Sequence, residues 1–227
     1  MRIGFLLFPG LTQLDLTGPY EVFARLPGAQ TFLVWKTLDP VRTEHGLAML
    51  PTARFDDCPP LDLICVPGGP GVNDLLTDTT VLDFLRRTAE GARWVTSVCT
   101  GALVLGAAGL LRGRRATTHW MSMDFLRAFG AEPVEARVVT DGNVVTGGGI
   151  TAGIDFALQV AAQVAGREAA EAIQLMIQYD PQPPLDAGTP RTADPEIVAA
   201  TRARAEERQR YRAAQVERAK QLLDAAG

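Results

Sequence analysis

Five stretches of almost uninterrupted apolar residues, separated by segments with helical periodicity, limit the possible architectures more than any other pattern in this chain. The apolar stretches are 3–8, 31–35, 61–66, 94–98 and 134–139. Helical patterns occupy 19–26, 79–91, 100–111, 120–129, 151–164 and 168–178. Because strands apolar on both faces are typical of parallel sheets, the alternation predicts an α/β fold. We expect a doubly wound, mostly parallel sheet with helices on both faces, and a ligand site at the carboxyl ends of the strands.

The length of 227 residues suits one large α/β unit, so we expect a single domain over 1–227 with a helical extension from about residue 194. The proline-rich stretch 181–195 is predicted to be an extended surface connection. Alternating charges after it indicate a long helix that faces solvent or a partner. Its basic residues are Arg202, Arg204, Arg208, Arg210, Arg212, Arg218 and Lys220.

Composition argues against several classes of protein. The formal net charge of -4, with acidic residues interleaved on the last helix, gives no support for a nucleic-acid partner. No apolar run approaches the length of a membrane span, and the N-terminal run is too short for a signal peptide. Cys58, Cys65 and Cys99 form no CxxC pair, and two histidines provide no metal-binding spacing. We therefore expect a cytoplasmic protein with neither a disulfide framework nor a metal centre.

Cys99 lies where the apolar stretch 94–98 meets a helix rich in small residues. Ser97 and Gly101 are small neighbours two positions to either side, the arrangement of a nucleophile elbow. The N–H groups at the start of the following helix are predicted to favour the thiolate. A buried structural cysteine is the alternative, but the combined strand, small neighbours and helix start favour a nucleophile.

Asp15 is the candidate acid, between Leu14 and Leu16 just beyond the first strand. Apolar surroundings would raise the pKa of its carboxyl, so that it holds a proton near neutral pH and acts as a general acid and then as a base. The alternative is a carboxylate that caps the helix predicted to begin near Pro19.

Other motifs allow two interpretations each. The glycine pair at 68–69 is either a source of N–H donors for a developing negative charge or a tight turn. Thr100 either donates its hydroxyl to an intermediate or caps a helix. His119 either pairs with the thiol or is a structural histidine, and the structural role is favoured. Residues 147–152 fit a dinucleotide fingerprint, but no strand with an acidic residue follows, so we expect no nicotinamide cofactor.

The chain from Ile3 to about Gln178 resembles the ThiJ/PfpI superfamily, relatives of the class I glutamine amidotransferases with a flavodoxin-like sandwich. The motifs that carry the resemblance are 4–9, 14–19, 96–101, 116–120 and 146–153. Within the superfamily they look like those of members that hydrate isocyanides. The resemblance implies a homodimer without a cofactor, which adds water to an isocyanide and releases an N-substituted formamide.

The resemblance also implies roles for individual residues. Cys99 maps onto the nucleophile and Asp15 onto the general acid and base. The intermediate would be bound by the Thr100 hydroxyl and by backbone contacts at Gly69 and Ile150, with Gly149 beside it. Protease-like members have histidine directly after the cysteine, and this chain has Thr100 there, so we do not expect peptidase activity.

Two further residues are candidates for supporting positions around the thiol. Stress-protective members of the superfamily place a glutamate in a Pro-x-Glu context, which Glu21 occupies here. His119 follows the nucleophile in a Thr-Thr-His-Trp string. Asp15 is ranked above Glu21 because the Leu-Asp-Leu-Thr-Gly-Pro string matches the isocyanide-hydrating members.

As a hypothesis, the Cys99 thiolate attacks the terminal isocyanide carbon while protonated Asp15 supplies a proton, and water then hydrolyses the thioimidate. Two alternatives remain open. One is a glyoxalase-like or deglycase activity on small aldehydes, and the other is a redox sensor or chaperone in which Cys99 is oxidised to sulfinic acid. A ligand-sensing domain of a transcription regulator would need a DNA-binding module, which we do not expect in this chain.

Overall fold

A computed structural model describes residues 1–226 of the chain. The strands of this part are β1 (Arg2–Leu6), β2 (Gln30–Trp35), β3 (Val41–Arg42), β4 (Ala48–Met49), β5 (Ala53–Arg54), β6 (Leu63–Val66), β7 (Trp94–Val98), β8 (Arg115–Ala116), β9 (Glu132–Pro133), β10 (Val138–Asp141) and β11 (Val144–Gly147). The α-helices are α1 (Gln13–Phe23), α2 (Val72–Leu75), α3 (Thr79–Gly91), α4 (Gly101–Ala107), α5 (Ala152–Ala165), α6 (Arg167–Met176) and α7 (Pro195–Ala226). A 3₁₀ helix, Trp120–Phe129, lies between α4 and α5.

Seven of the strands form one sheet in the order β10-β11-β7-β6-β1-β2-β5. Every neighbouring pair is parallel except β10 and β11. Helices α1, α5 and α6 pack together, and α2, α3 and α4 form a second group with the 3₁₀ helix and α7. The predicted doubly wound α/β sandwich is therefore confirmed. The chain leaves β1 toward β2 on one side and returns to β6 on the other, so a crevice opens at their carboxyl ends.

The aromatic core fixes α1 against the sheet. Phe23 of α1 lies with its ring centroid 6.3 Å from that of Phe5 in β1 and 5.8 Å from that of Phe156 in α5. All three side chains are fully buried. Each such ring buries about 150–250 Å² of surface, so this cluster holds the last turn of α1 against the sheet and α5.

The predicted start of the first helix is wrong. Helix α1 begins at Gln13, and Pro19 lies inside it. Proline was expected at the first helical position, where its missing N–H is harmless. Inside the helix it removes one backbone hydrogen bond, and α1 continues to Phe23 despite that loss. Asp15 is consequently a residue of the first turn and does not cap the helix.

The predicted strand at 134–139 is also wrong. The strand in this region is β10, which begins at Val138 and pairs in an antiparallel manner at the edge of the sheet. A turn with Gly142 at φ 60° reverses the chain. The returning strand β11 is buried along its whole length and pairs in parallel with β7. Residues 144–146, which precede the glycine-rich segment at 147–152, thus belong to an interior strand.

Two predicted helices differ in extent or type. The helix after Cys99 ends at Ala107, before the predicted end at residue 111, and a turn with Gly109 at φ 81° follows. The segment 120–129 has the predicted bounds but is a 3₁₀ helix.

Helix α7 is the long helix that the charge pattern predicted, but one of its faces is buried within this chain and faces neither solvent nor a separate partner. It packs against α2, α4 and the 3₁₀ helix. Its buried residues are Ala205, Arg212, Gln215, Val216 and Ala219. The connection before it has no helix or strand over 181–194 and is exposed, as predicted. None of the helices in the described part of the chain combines the length and the apolar character that a membrane span requires.

Candidate active site

Cys99 occupies a strained turn between β7 and α4. Its φ is 53°, a left-handed conformation that is uncommon for a residue with a side chain. The Cys99 N–H donates to the Gly147 carbonyl at 3.1 Å, and the Thr118 hydroxyl donates to the Cys99 carbonyl at 2.7 Å. A Cβ at Gly101 would collide with the carbonyl oxygen of Val66. The predicted elbow is therefore present, since small residues let α4 begin directly behind the strand.

Asp15 places a fully buried carboxyl beside this turn. Its Oδ2 accepts the Gly68 N–H at 2.9 Å, and no hydrogen-bond partner within the described part of the chain reaches Oδ1. Burial raises the pKa of Asp15 from 3.8 to about 7, opposed by the Gly68 N–H and the Cys99 thiol and reinforced by the charge of Glu44. The carboxyl thus exchanges a proton near neutral pH, as the sequence predicted.

The surroundings of Cys99 disfavour the resting thiolate that the helix start was expected to provide. Burial raises its pKa well above the ordinary value, and the charge of Asp15 raises it further. The Thr100 N–H and the charge of Arg212 oppose this rise without cancelling it. A helix start stabilises a thiolate only if its field exceeds the lost hydration, which it does not at this buried turn. When Asp15 ionises, the thiol and carboxyl together retain one proton.

The glycine loop after β6 holds Asp15 and Thr100 in place. Besides the bond from Gly68 to Asp15, the Gly69 N–H donates to the Thr100 hydroxyl oxygen at 3.0 Å. Both N–H groups are occupied, so neither is free in this structure for a developing negative charge. A Cβ at Gly68 would lie 2.8 Å from Asp15 Oδ2 and 2.6 Å from the Thr100 nitrogen, so the carboxyl approaches only because residue 68 is glycine.

A cavity of about 120 Å³ lies over the thiol. Its lining residues are Thr12, Glu44, Gly69, Pro70, Cys99, Thr100, His119, Met121, Ile150, Arg208, Gln209 and Arg212. It brings together Cys99 and four other predicted site residues, namely Thr100, Gly69, Ile150 and His119. Asp15 is not among the lining residues.

His119 lines this cavity but serves the local backbone. Its Nδ1 accepts the Met121 N–H at 3.3 Å and caps the 3₁₀ helix. Burial and the charges of Arg212 and Arg208 lower the pKa of His119 to about 4. The imidazole is therefore neutral at neutral pH and provides no positive charge for the sulfur, in agreement with the structural interpretation.

Two predicted residues lie outside the cavity. Glu21 projects from α1 into solvent and forms an ion pair with Arg25 at 2.6 Å, so its predicted place beside the thiol is wrong. Gly149 is next to the lining residue Ile150, and its carbonyl accepts the Ala152 N–H at the start of α5.

The site also contains residues that the sequence analysis did not find. Glu44 comes from the connection between β3 and β4, and its Oε1 accepts the Thr12 hydroxyl at 2.5 Å. Nothing local in the sequence distinguishes this loop carboxylate. Arg208, Gln209 and Arg212 come from α7, and the structure buries Ala205, Arg212 and Val216 of this helix. The many charges of α7 leave no apolar pattern in the sequence that would single out Arg212.

Comparisons with known proteins show what this chain is similar to. Residues 1–163 match the DJ-1/PfpI family. The isonitrile hydratase of Pseudomonas putida is 56% identical over 99% of this chain and 98% of that protein. A crystal structure of a ThiJ/PfpI family protein from Pseudomonas syringae has a TM-score of 0.92 and 44% identity, covering 95% of this chain and 90% of that one. The HTH-type transcriptional regulator GbdR of Pseudomonas aeruginosa is 33% identical over 78% of this chain and 50% of the regulator.

Proposed function

Because this chain belongs to the DJ-1/PfpI family, we infer its function from the site that it builds on that fold: the cofactor-independent hydration of an isocyanide to an N-substituted formamide. The protein is a hydro-lyase. The observation that carries this conclusion is the buried Asp15 carboxyl, with a pKa of about 7, beside the thiol at the strained turn. Similarity to an isonitrile hydratase over nearly the whole of both chains supports the substrate class.

The first half of the proposed reaction adds sulfur and a proton to the same carbon. The terminal carbon of an isocyanide has no leaving group, so an attacking nucleophile must be accompanied by protonation. With Asp15 ionised, the thiol and carboxyl hold one proton between them. The Cys99 sulfur forms a bond to carbon, that proton moves to the same carbon, and a neutral thioimidate results with Asp15 left as carboxylate.

The second half uses the carboxylate as a base. Asp15 takes a proton from water as the water oxygen attacks the thioimidate carbon. The carbon–sulfur bond then breaks, the sulfur regains the proton from Asp15, and the other hydrogen of water ends on nitrogen. The product is the formamide, and the pair returns to its starting state with one proton.

Thr100 and Ile150 are proposed to bind the intermediate. The Thr100 hydroxyl oxygen already accepts the Gly69 N–H, and its own proton has only a long contact of 3.4 Å to the Gly69 carbonyl. That proton is available to a substrate nitrogen. The Ile150 N–H has no acceptor among residues 1–226 and belongs to a cavity-lining residue. Both donors support a role in holding charge that develops on the substrate.

We also propose a homodimer in the cytoplasm, with residues 1–227 forming one domain. Leu175 and Met176 at the end of α6 are 81% and 75% exposed, large apolar groups that a second copy would cover. Three free thiols in the described part of the chain suit a reducing compartment. The packing of α7 against α2 and α4 supports a single folded unit.

Infrared loss of the isocyanide stretch, together with formamide formation, tests the proposed function directly. Wild-type protein should consume a small alkyl isocyanide, and the Cys99→Ala variant should not. Methylglyoxal assayed in parallel tests the aldehyde alternative, because both reactions need the same thiol. Turnover of methylglyoxal with no loss of the isocyanide would overturn the proposal.

A further inference from the structure

Arg212 of α7 is a buried cation without an acidic partner. The residue is only 4% exposed. Its Nε donates to Asn73 Oδ1 at 2.8 Å, and its Nη1 donates to Ser122 Oγ at 2.9 Å, and both acceptors are neutral. No acidic side chain in residues 1–226 forms an ion pair with it. Burying a charge without a counter-charge is costly, so the buried guanidinium requires a negative group to stabilise it.

The cavity supplies a group that Arg212 can neutralise. Arg212 and Cys99 line the same small space. A guanidinium has five N–H donors, of which Nε–H and one Nη1–H are occupied by Asn73 and Ser122. The charge of Arg212 lowers the pKa of Cys99, and the thiolate in turn raises the pKa of Arg212. Burial lowers the pKa of Arg212 to about 10, so it remains a cation at neutral pH.

The other ionisable groups around the sulfur do not provide this charge. Asp15 from α1 and Glu44 from the β3–β4 connection are acidic. His119, before the 3₁₀ helix, is neutral at neutral pH because its pKa is about 4. Arg208, one turn earlier on α7, is an exposed residue whose charge water screens. Arg212 is thus the buried cation of the cavity within the described residues.

On the basis of the proposed function, we propose that Arg212 is a positioning residue for the nucleophile: its buried guanidinium is the counter-charge of the Cys99 sulfur whenever that sulfur is anionic. This happens twice in the reaction, during attack on the isocyanide carbon and during expulsion from the tetrahedral intermediate. The family match ends at residue 163, so this charge comes from a helix outside the matched segment. Asn73 and Ser122 hold it at a fixed orientation toward the cavity.

Alkylation of Cys99 by iodoacetamide tests the proposal without any isocyanide. The rate is measured by peptide mass spectrometry between pH 7 and 9 for wild type, Arg212→Gln, Arg212→Lys and Arg210→Gln. Loss of a nearby positive charge raises the pKa of a thiol by about one unit or more. For each unit by which the pKa of the thiol rises, the thiolate fraction falls about tenfold, while the nucleophilicity of the remaining thiolate rises about threefold. Alkylation of Cys99 in Arg212→Gln should therefore be roughly threefold slower than in wild type.

The remaining variants separate charge from structure. Arg210 is exposed on the same helix, so Arg210→Gln removes the same formal charge and should alkylate at the wild-type rate. Arg212→Lys keeps the charge but loses the planar donors, and it should alkylate within about twofold of wild type. If Arg212→Gln is folded by circular dichroism and alkylates like wild type, the proposal is overturned. The proposal is also overturned if Arg212→Lys is folded and its Cys99 is alkylated as slowly as that of Arg212→Gln. A purely structural role of Arg212 predicts equal slowing in both variants.

Discussion

Replacing Asp15 by asparagine is expected to stabilise the folded protein and to remove its turnover. Burial raises the pKa of this carboxyl from 3.8 to about 7. At about 1.4 kcal/mol for each pKa unit, the wild-type protein carries a penalty of about 4 kcal/mol for ionising Asp15 in the folded state. An amide of the same shape keeps an oxygen for the Gly68 N–H and never ionises. Since Asp15 donates and retrieves a proton in the proposed reaction, turnover should fall by a factor of about 10² to 10⁴.

The sign of the effect sets the pH range of the experiment. A carboxyl with a raised pKa binds more protons in the folded than in the unfolded state between pH 3.8 and about 7. Its contribution to stability is therefore complete below about pH 4 and is lost as the pH rises through about 7. The free energy of unfolding of wild type should fall across this interval relative to that of Asp15→Asn. The difference should approach about 4 kcal/mol at pH 8 and remain constant above it.

Equilibrium unfolding in urea at pH 4.5, 6 and 8 measures this difference, with Asp56→Asn as the control. Asp56 is exposed, so this variant corrects for the loss of one carboxylate from the net charge. A difference between wild type and Asp15→Asn that does not change with pH would refute the assignment of Asp15 as a desolvated, proton-exchanging carboxyl. Loss of activity in Asp15→Asn would not by itself support that assignment.

Three further outcomes follow from the same geometry. The value of kcat/KM should decrease as the pH is lowered through an apparent pKa of about 7, because protonated Asp15 provides neither a base nor a route for the thiol proton. A value of kcat/KM that is constant from about pH 5 to 9 would contradict this. Glu44→Gln should move that midpoint to lower pH, because the charge of Glu44 raises the pKa of Asp15, and an unchanged midpoint in the same assay would exclude the interaction. His119→Ala should lower the free energy of unfolding by about 1 kcal/mol through loss of a helix cap while kcat stays within a few-fold of wild type, and a loss of activity near that of Asp15→Asn would show a chemical role for the imidazole.

The parts of this structure that the sequence predicted are those determined by short segments. The apolar stretch 94–98 and the small residues around Cys99 specify a buried strand and a sharp turn without reference to distant residues. The start of α1 was missed because a local rule for Pro19 was outweighed by packing of the helix on the core. The antiparallel pairing of β10 with β11 was missed because the apolar content of a strand does not show whether it pairs in parallel or antiparallel.

The site itself was only partly predictable for a different reason. Cys99, Asp15 and Thr100 follow strands or open helices, where sequence spacing identifies the edge of a parallel sheet. Arg212 lies far along the chain among many similar charges, and the packing of α7 against α2, α4 and the 3₁₀ helix brings it to the sulfur. The protonation of Cys99 also depends on burial in three dimensions, which the local helix start could not reveal.

The central claim is that Cys99 and Asp15 add sulfur and one proton to an isocyanide carbon, and rapid-quench mass spectrometry of a single turnover tests it most directly. The account predicts that the peptide containing Cys99 gains the full mass of the isocyanide, with nothing lost, and that this adduct decays as the formamide appears. Formamide released while the mass of that peptide stays unchanged throughout the turnover would contradict it.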